Sequence, residues 1–102
     1  MNLEPKSVLE QLVAVAARLG ADALEVEYKD GYLEVDAMKG NTGLGIADLP
    51  RSNPEAQSLV AELHAIKRRP RRVTSAGERY ELRVSVYDSF GENAYHVELR
   101  RI

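Results

Sequence analysis

Leu9, Leu12, Val13, Ala16 and Leu19 recur at steps of three and four, which predicts a helix over residues 6–19 with one apolar stripe. Pro5 suits its first turn, Ser7 with Glu10 reads as a capping box, and Gly20 is a natural stop. The period then drops to two. Leu24, Val26 and Tyr28 alternate with Glu25, Glu27 and Lys29, and after Asp30-Gly31 the alternation resumes in Leu33, Val35 and Ala37. Asp-Gly between alternating runs predicts a two-residue hairpin loop, because both loop positions take positive φ. In that register Tyr28 faces Leu33, Val26 faces Val35 and Leu24 faces Ala37, on the side turned to the core.

Residues 39–53, "KGNTGLGIADLPRSN", hold three glycines, two asparagines and a proline, and read as a mobile connection with a short strand near Leu44 to Ala47. A second helix follows, capped by Asn53 with Pro54 at its first position. Ala56, Leu59, Val60, Leu63 and Ile66 form its buried stripe, and Pro70 ends it. "RYELRVSVY" sends Tyr80, Leu82, Val84 and Val86 inward, and "YHVEL" repeats the alternation after the turn "DSFGEN". The pattern is that of one α+β domain over residues 1–102, with two helices and a largely antiparallel sheet of four to six strands in the order α-β-β-(β)-α-β-β-β.

Composition sets the class. The chain has 102 residues, 44% of them hydrophobic and 29% charged, which is ordinary for a soluble globular domain able to bury one modest core. It has no cysteine, so a disulfide framework, thiol catalysis and cysteine-ligated zinc are excluded. The longest apolar stretch, "LVAVAARLG", is interrupted by Arg18 and falls far short of the roughly 20 residues a bilayer span needs, so no membrane insertion is expected. "MNLEPKS" lacks the basic-then-apolar order of an export signal, and the expected location is the cytoplasm.

A formal net charge of −2 conceals a division. Residues 1–50 carry nine acids and four bases, whereas residues 51–102 carry seven acids and ten bases. Asp22, Glu25, Glu27, Asp30, Glu34 and Asp36 fall within fifteen positions, with Lys29 the only base among them. Two surface patches of opposite sign follow.

The hairpin register sets Glu27 opposite Glu34 and Glu25 opposite Asp36 on its outer face. Like charges about 5 Å apart repel by roughly 1 kcal/mol in water and about 3 kcal/mol at an effective dielectric near 20. A divalent cation or an acid/base pair of the glycosidase kind would use such a face. The simpler expectation is that Arg79, Arg83 or Arg100, outward on neighbouring strands, reach across and pair with the acids. No spacing of a calcium loop is present, and no metal or cofactor is expected. "GNTGLG" lacks the Lys-Ser or Lys-Thr of a phosphate loop and reads as a flexible connection. His64 and His96 make no ligand set and read as surface or half-buried residues. Ser75, Ser85 and Ser89 lack a glycine-flanked elbow, so no catalytic residue is assigned and the chain is not expected to be an enzyme.

"IKRRPRRV" concentrates Lys67, Arg68, Arg69, Arg71 and Arg72. The first three end a helix, where its dipole favours cations, and the last two begin a strand. A solvated or internally paired cluster, a protein-binding patch and a phosphate-binding patch are the three readings of this run. Against nucleic acid stand a single Phe, no Trp and an acidic isoelectric point of about 5.7.

The order of motifs resembles the second N-terminal domain, preceding the catalytic core, of type II secretion and type IV pilus assembly ATPases. That family carries "GASDIHIEP", then a strand ending "RIDG", then "RRPQDGR" and "LRVS…GE…VLRI". Here Gly20-Ala21-Asp22-Ala23-Leu24-Glu25-Val26-Glu27 is similar to the first, Val35-Asp36 to the second and Arg68-Arg69-Pro70 to the third. "LRVS" at 82–85, Gly91-Glu92 and "VELRRI" at 97–102 are similar to the fourth. The phosphate-loop core is missing from the chain. Glu34 stands where the family places a nucleotide-clamping arginine, Glu25 replaces the family histidine, and Arg71-Arg72-Val73 replaces "QDG". Arg83, within "LRVS", keeps a family arginine. The resemblance implies a non-catalytic interaction module that contacts a partner protein or a second copy. The residues expected to carry the contact are Lys67, Arg68, Arg69, Arg71 and Arg72 on one side and Glu25, Glu27, Glu34 and Asp36 on the other. The alternative is a nucleic-acid or nucleotide binder that uses residues 67–72 with Arg83.

Overall fold

A computed structural model describes residues 6–102; Pro5, expected in the first helical turn, lies outside them. Helix α1 (Val8–Arg18) starts where Ser7, in extended conformation, accepts a hydrogen bond from the Glu10 N–H. Its end is a double closure, with the Gly20 N–H bonded to the Ala17 carbonyl and the Ala21 N–H to the Ala16 carbonyl. Helix α2 (Pro54–Arg68) is capped by Asn53, whose side chain accepts from the Glu55 N–H at 2.8 Å. Arg69, which precedes Pro70, is extended and ends it.

Strands β1 (Ala23–Lys29), β2 (Tyr32–Lys39), β3 (Thr42–Pro50), β4 (Arg71–Ser75), β5 (Glu78–Ser89) and β6 (Glu92–Arg101) form a six-stranded antiparallel sheet in the order β3-β2-β1-β6-β5-β4. With the two helices the element order is α-β-β-β-α-β-β-β, an α+β fold. The predicted register of the first hairpin holds at every pair, from Leu24 with Ala37 to Tyr28 with Leu33. Its loop is Asp30 (φ 50°) and Gly31 (φ 82°), and two further hairpins turn on the same geometry at Ala76-Gly77 and Phe90-Gly91.

The short strand expected near Leu44 to Ala47 within a mobile connection is present and longer, as the nine-residue edge strand β3. Periodicity hides its full length because Gly43, Gly45 and Pro50 interrupt the apolar alternation, and a bulge opposite Val35 and Asp36 shifts its register. The ladder to β2 makes it a strand.

Each half of the chain is a helix followed by a three-stranded meander, and the halves meet where β1 pairs with β6. Four residue pairs make that seam, Ala23–Glu98, Leu24–Val97, Glu25–His96 and Val26–Tyr95. Both helices pack on one sheet face, joining Leu9, Val13, Leu59, Leu63 and Ile66 to Leu24, Val35, Leu82, Tyr95 and Val97 in one core. Burial of each such side chain is worth about 1.5–3 kcal/mol. The opposite face is bare. Among the described residues no helix is long and apolar enough to cross a membrane.

Candidate interaction face

Strand alternation decides what the bare face displays. Core residues on β1 (Leu24, Val26) put Glu25 and Glu27 outward, and those on β2 (Leu33, Val35) put Glu34 and Asp36 outward. On β6 the outward set is Ala94, His96, Glu98 and Arg100; on β5 it includes Glu81, Arg83, Ser85, Tyr87 and Ser89. Glu25 lies between Asp36 and His96, and Glu27 lies opposite Glu34, as the hairpin register requires.

The acids are not met by the arginines expected to balance them. Glu25 Oε1 lies 2.5 Å from His96 Nδ1, and its Oε2 accepts from the Tyr87 hydroxyl at 2.9 Å. Glu27 accepts from the Ser89 hydroxyl. Arg83 instead turns along its own strand, donating from Nε to Glu81 Oε1 at 2.7 Å. That bond holds the Glu81 carboxyl below its ordinary pKa and raises the Arg83 guanidinium. Arg79 and Arg100 form no ion pair among the described residues. The reason is the strand order. The β1–β6 seam inserts His96 beside Glu25 and moves β5 two strands away, where only the tyrosine and serine near its turn reach β1. Burial pushes the Tyr87 hydroxyl up to about 12, with the Glu25 hydrogen bond and the charges of Glu25 and Glu27 adding to it. Glu34 and Asp36 take part in no ion pair among the described residues.

The glycines of "GNTGLG" serve this face. A β-carbon at Gly43 would stand 2.8 Å from Met38 Sδ, and one at Gly45 would stand 3.4 Å from Asp36 Oδ1. Glycine there lets two β2 side chains lie across the sheet edge.

The basic run divides among three directions. Lys67, Arg68 and Arg69 are exposed where α2 ends, and Arg72 is outward on β4 opposite Glu81. Arg71 points to the helix side, where Nη1 meets Glu62 Oε2 at 2.9 Å, and the same oxygen accepts from the Ser7 hydroxyl at 3.0 Å. Arg72 on β4 lies three strand spacings from β1 and four from β2, or about 14 and 19 Å. The β1–β2 side of the face is therefore acidic, while the β4–β5 side sets Arg72 and Arg83 around Glu81, and Arg72 lies farther from the β1–β2 acids than a Debye length of about 8 Å.

Periodicity alone misses the His96, Tyr87 and Ser89 cluster because the seam joins residues some seventy positions apart. Its only local signal is parity, since Tyr87 and Ser89 share the Arg83 face of β5. Ser85, His96 and Glu25 form one row across β5, β6 and β1, the residue types of an acyl-transfer triad. On a sheet, however, backbone N–H groups lie in the sheet plane and are used in the ladder. None is left to point from the face at a developing oxyanion. Among the described residues no three His, Asp or Glu side chains are placed to hold a metal ion. His64 serves the core side, its Nε2 lying 3.0 Å from the Tyr95 hydroxyl.

Compared with models of known protein families and with curated proteins, the chain matches none.

Proposed function

We propose that the chain is a non-catalytic protein-interaction module, similar to the N-terminal domain of secretion and pilus ATPases, that contacts a partner protein or a second copy through its bare sheet face. The observation that carries this reading is a sheet face without helices on which, among the described residues, Glu25 and Glu27 are met by two hydroxyls and one histidine while Glu34 and Asp36 form no ion pair. Exposed cations stand on the other side and at its edge, at Arg72 and the Lys67 to Arg69 corner, beside the Arg83–Glu81 pair. Two such faces, related by a two-fold axis along the strands, set the acidic side of each over the cations of the other, a closed and self-complementary arrangement. Light scattering across a salt series tests it. The wild type is expected above monomer mass at low ionic strength, with a mass that falls as salt rises, and Glu34→Lys/Asp36→Lys is expected to show no such salt-dependent fall. A wild-type monomer at every ionic strength, together with no protein retained by immobilised wild type that the variant fails to retain, would overturn it.

One observation favours a second reading as a nucleic-acid binder. Lys67, Arg68, Arg69 and Arg72 are exposed and form no ion pair among the described residues. Affinity for duplex DNA would then fall with salt at a log-log slope of about −0.9 per phosphate neutralised. The lack of any gel shift with a short duplex at low salt removes it.

A further inference from the structure

Phe90 is the only phenylalanine of the chain, and it stands wholly in solvent, 102% exposed, at the tip of the β5–β6 hairpin. Its backbone is in the left-handed region at φ 51°, where a bulky side chain is strained and Asn, Asp or Gly is preferred. Folding gains nothing from an aromatic ring there. The tip is braced, because Arg51 grips Glu92 at 2.7 Å, stacks its guanidinium 4.3 Å above the Tyr28 ring, and so ties the hairpin end to the β1–β2 end. Asp88 on the near flank is exposed, and its Oδ2 lies 3.4 Å from the Gly91 N–H.

At the other end of the strands lies the complement. A cleft of about 140 Å³ opens between the end of α1 and the β2–β3 turn, walled by Leu19, Ala21, Ala37 and Leu44, with Lys39 and Thr42 at its polar side. Leu19 and Leu44 are 46% and 57% exposed. Lys39 is the one charged residue of this lining. The seven residues of β1 alone set the two ends about 20 Å apart, too far for a ring and a cleft in one molecule to meet.

We propose that Phe90 of one copy inserts into the α1–β3 cleft of a second copy, with Asp88 facing Lys39, so that the protein associates end to end. This rests on the reading of the chain as an interaction module and identifies a second copy as one partner. The contact is heterologous, so each copy keeps a free ring at one end and a free cleft at the other, and the assembly grows as an open chain unless its rotation closes a ring. Opposite charges set the direction of approach. Burial of the ring supplies the affinity and, unlike pairing of the charged faces, survives salt.

Sedimentation velocity over a concentration series at about 0.5 M NaCl, where the Debye length is only a few Å and face-to-face charge pairing is screened, tests this contact by itself. Wild type is expected to sediment faster as concentration rises. Phe90→Asn, which suits the turn, is expected to be monomeric while melting no lower than wild type. Leu44→Asp and, as a second cleft lesion, Leu19→Asp are expected to be monomeric with unchanged circular dichroism. Phe90→Asn mixed with Leu44→Asp is expected to give one-to-one dimers and nothing larger, since the mixture holds one intact cleft and one intact ring per pair. A monomeric wild type, undiminished association of Phe90→Asn, or a mixture that stays monomeric would each overturn the contact. The bare-face reading would survive all three, because its own association appears at low salt and responds to Glu34 and Asp36.

Discussion

Among the described residues Ser75, 5% exposed on β4, is the one buried polar residue, and its hydroxyl has no hydrogen-bond partner there. An unmet buried hydroxyl costs about 1–3 kcal/mol, so Ser75→Ala is expected to raise stability by about 1 kcal/mol. For a domain of this size that is a rise in Tm of about 4–8 °C, and a fall on calorimetry would mean the hydroxyl is satisfied. Its neighbour Ala76 opens the β4–β5 turn at φ 52°. Ala76→Asn puts a residue that tolerates the left-handed region there and is expected to add about 0.5–1 kcal/mol in urea unfolding. An unchanged midpoint would mean the turn tolerates alanine without strain. Tyr87 gives a pH signature. Its folded pKa, about 12, lies above the ordinary 10.0, so its contribution is complete below pH 10 and is lost as pH rises towards 12. Tyr87→Phe is therefore expected to flatten the loss of stability between pH 10 and 12; an equally steep decline in the variant would assign that titration elsewhere. At this scale the sequence is legible wherever one strand's parity suffices, as for Glu25, Glu27, Glu34 and Asp36. It is silent on Ser75, whose isolation depends on what packs around β4.

The elements are joined by a few polar contacts laid over an apolar core. Glu62 of α2 holds both the Ser7 cap of α1 and Arg71 of β4, and His64 of α2 meets the Tyr95 hydroxyl of β6, their rings edge to face at 5.4 Å. Tyr95→Phe keeps the packing and deletes the hydroxyl, so it is expected to cost about 1 kcal/mol. A double-mutant cycle with His64→Ala is expected to show coupling of about 0.5–1.5 kcal/mol in urea unfolding, and coupling below about 0.3 kcal/mol would reduce the pair to a chance approach. Both helices, the first hairpin and the closing hairpin are legible in the sequence because each carries its own period and its own stop: Ser7 and Gly20, Asp30-Gly31, Asn53-Pro54 and Pro70. β3 is legible only near Leu44 to Ala47. An edge strand takes its hydrogen bonds from one neighbour and packs only part of its length, so Gly43 and Gly45 cost it little and erase the alternation that would announce it.

At the scale of the molecule the decisive pairing is β1 with β6, and no local pattern encodes it. The expectation that arginines balance the acidic face fails for this reason, since strand order, not strand parity, decides which side chains become neighbours. The same seam governs folding. Each half is an αβββ unit that resembles a domain in outline, yet α1 reaches strands of both halves, touching β1 and β3 of its own and β4 of the other. α2 likewise packs on β5 of its own half and on β3 across the seam. Neither meander can therefore cover its apolar face with its own helix alone, and separation at the β3–α2 connection would expose Leu24, Val26, Tyr95 and Val97 along the broken edge. Fragments 1–52 and 53–102 are each expected to be unfolded by far-ultraviolet circular dichroism, because chains of about 50 residues bury too little surface to repay their conformational entropy. Mixed at equal concentration, they are expected to recover the spectrum of the whole chain with a concentration-dependent Tm, the seam then being an intermolecular interface. Cooperative thermal unfolding by either fragment alone would show that a half is self-sufficient and that the seam joins two domains rather than completing one.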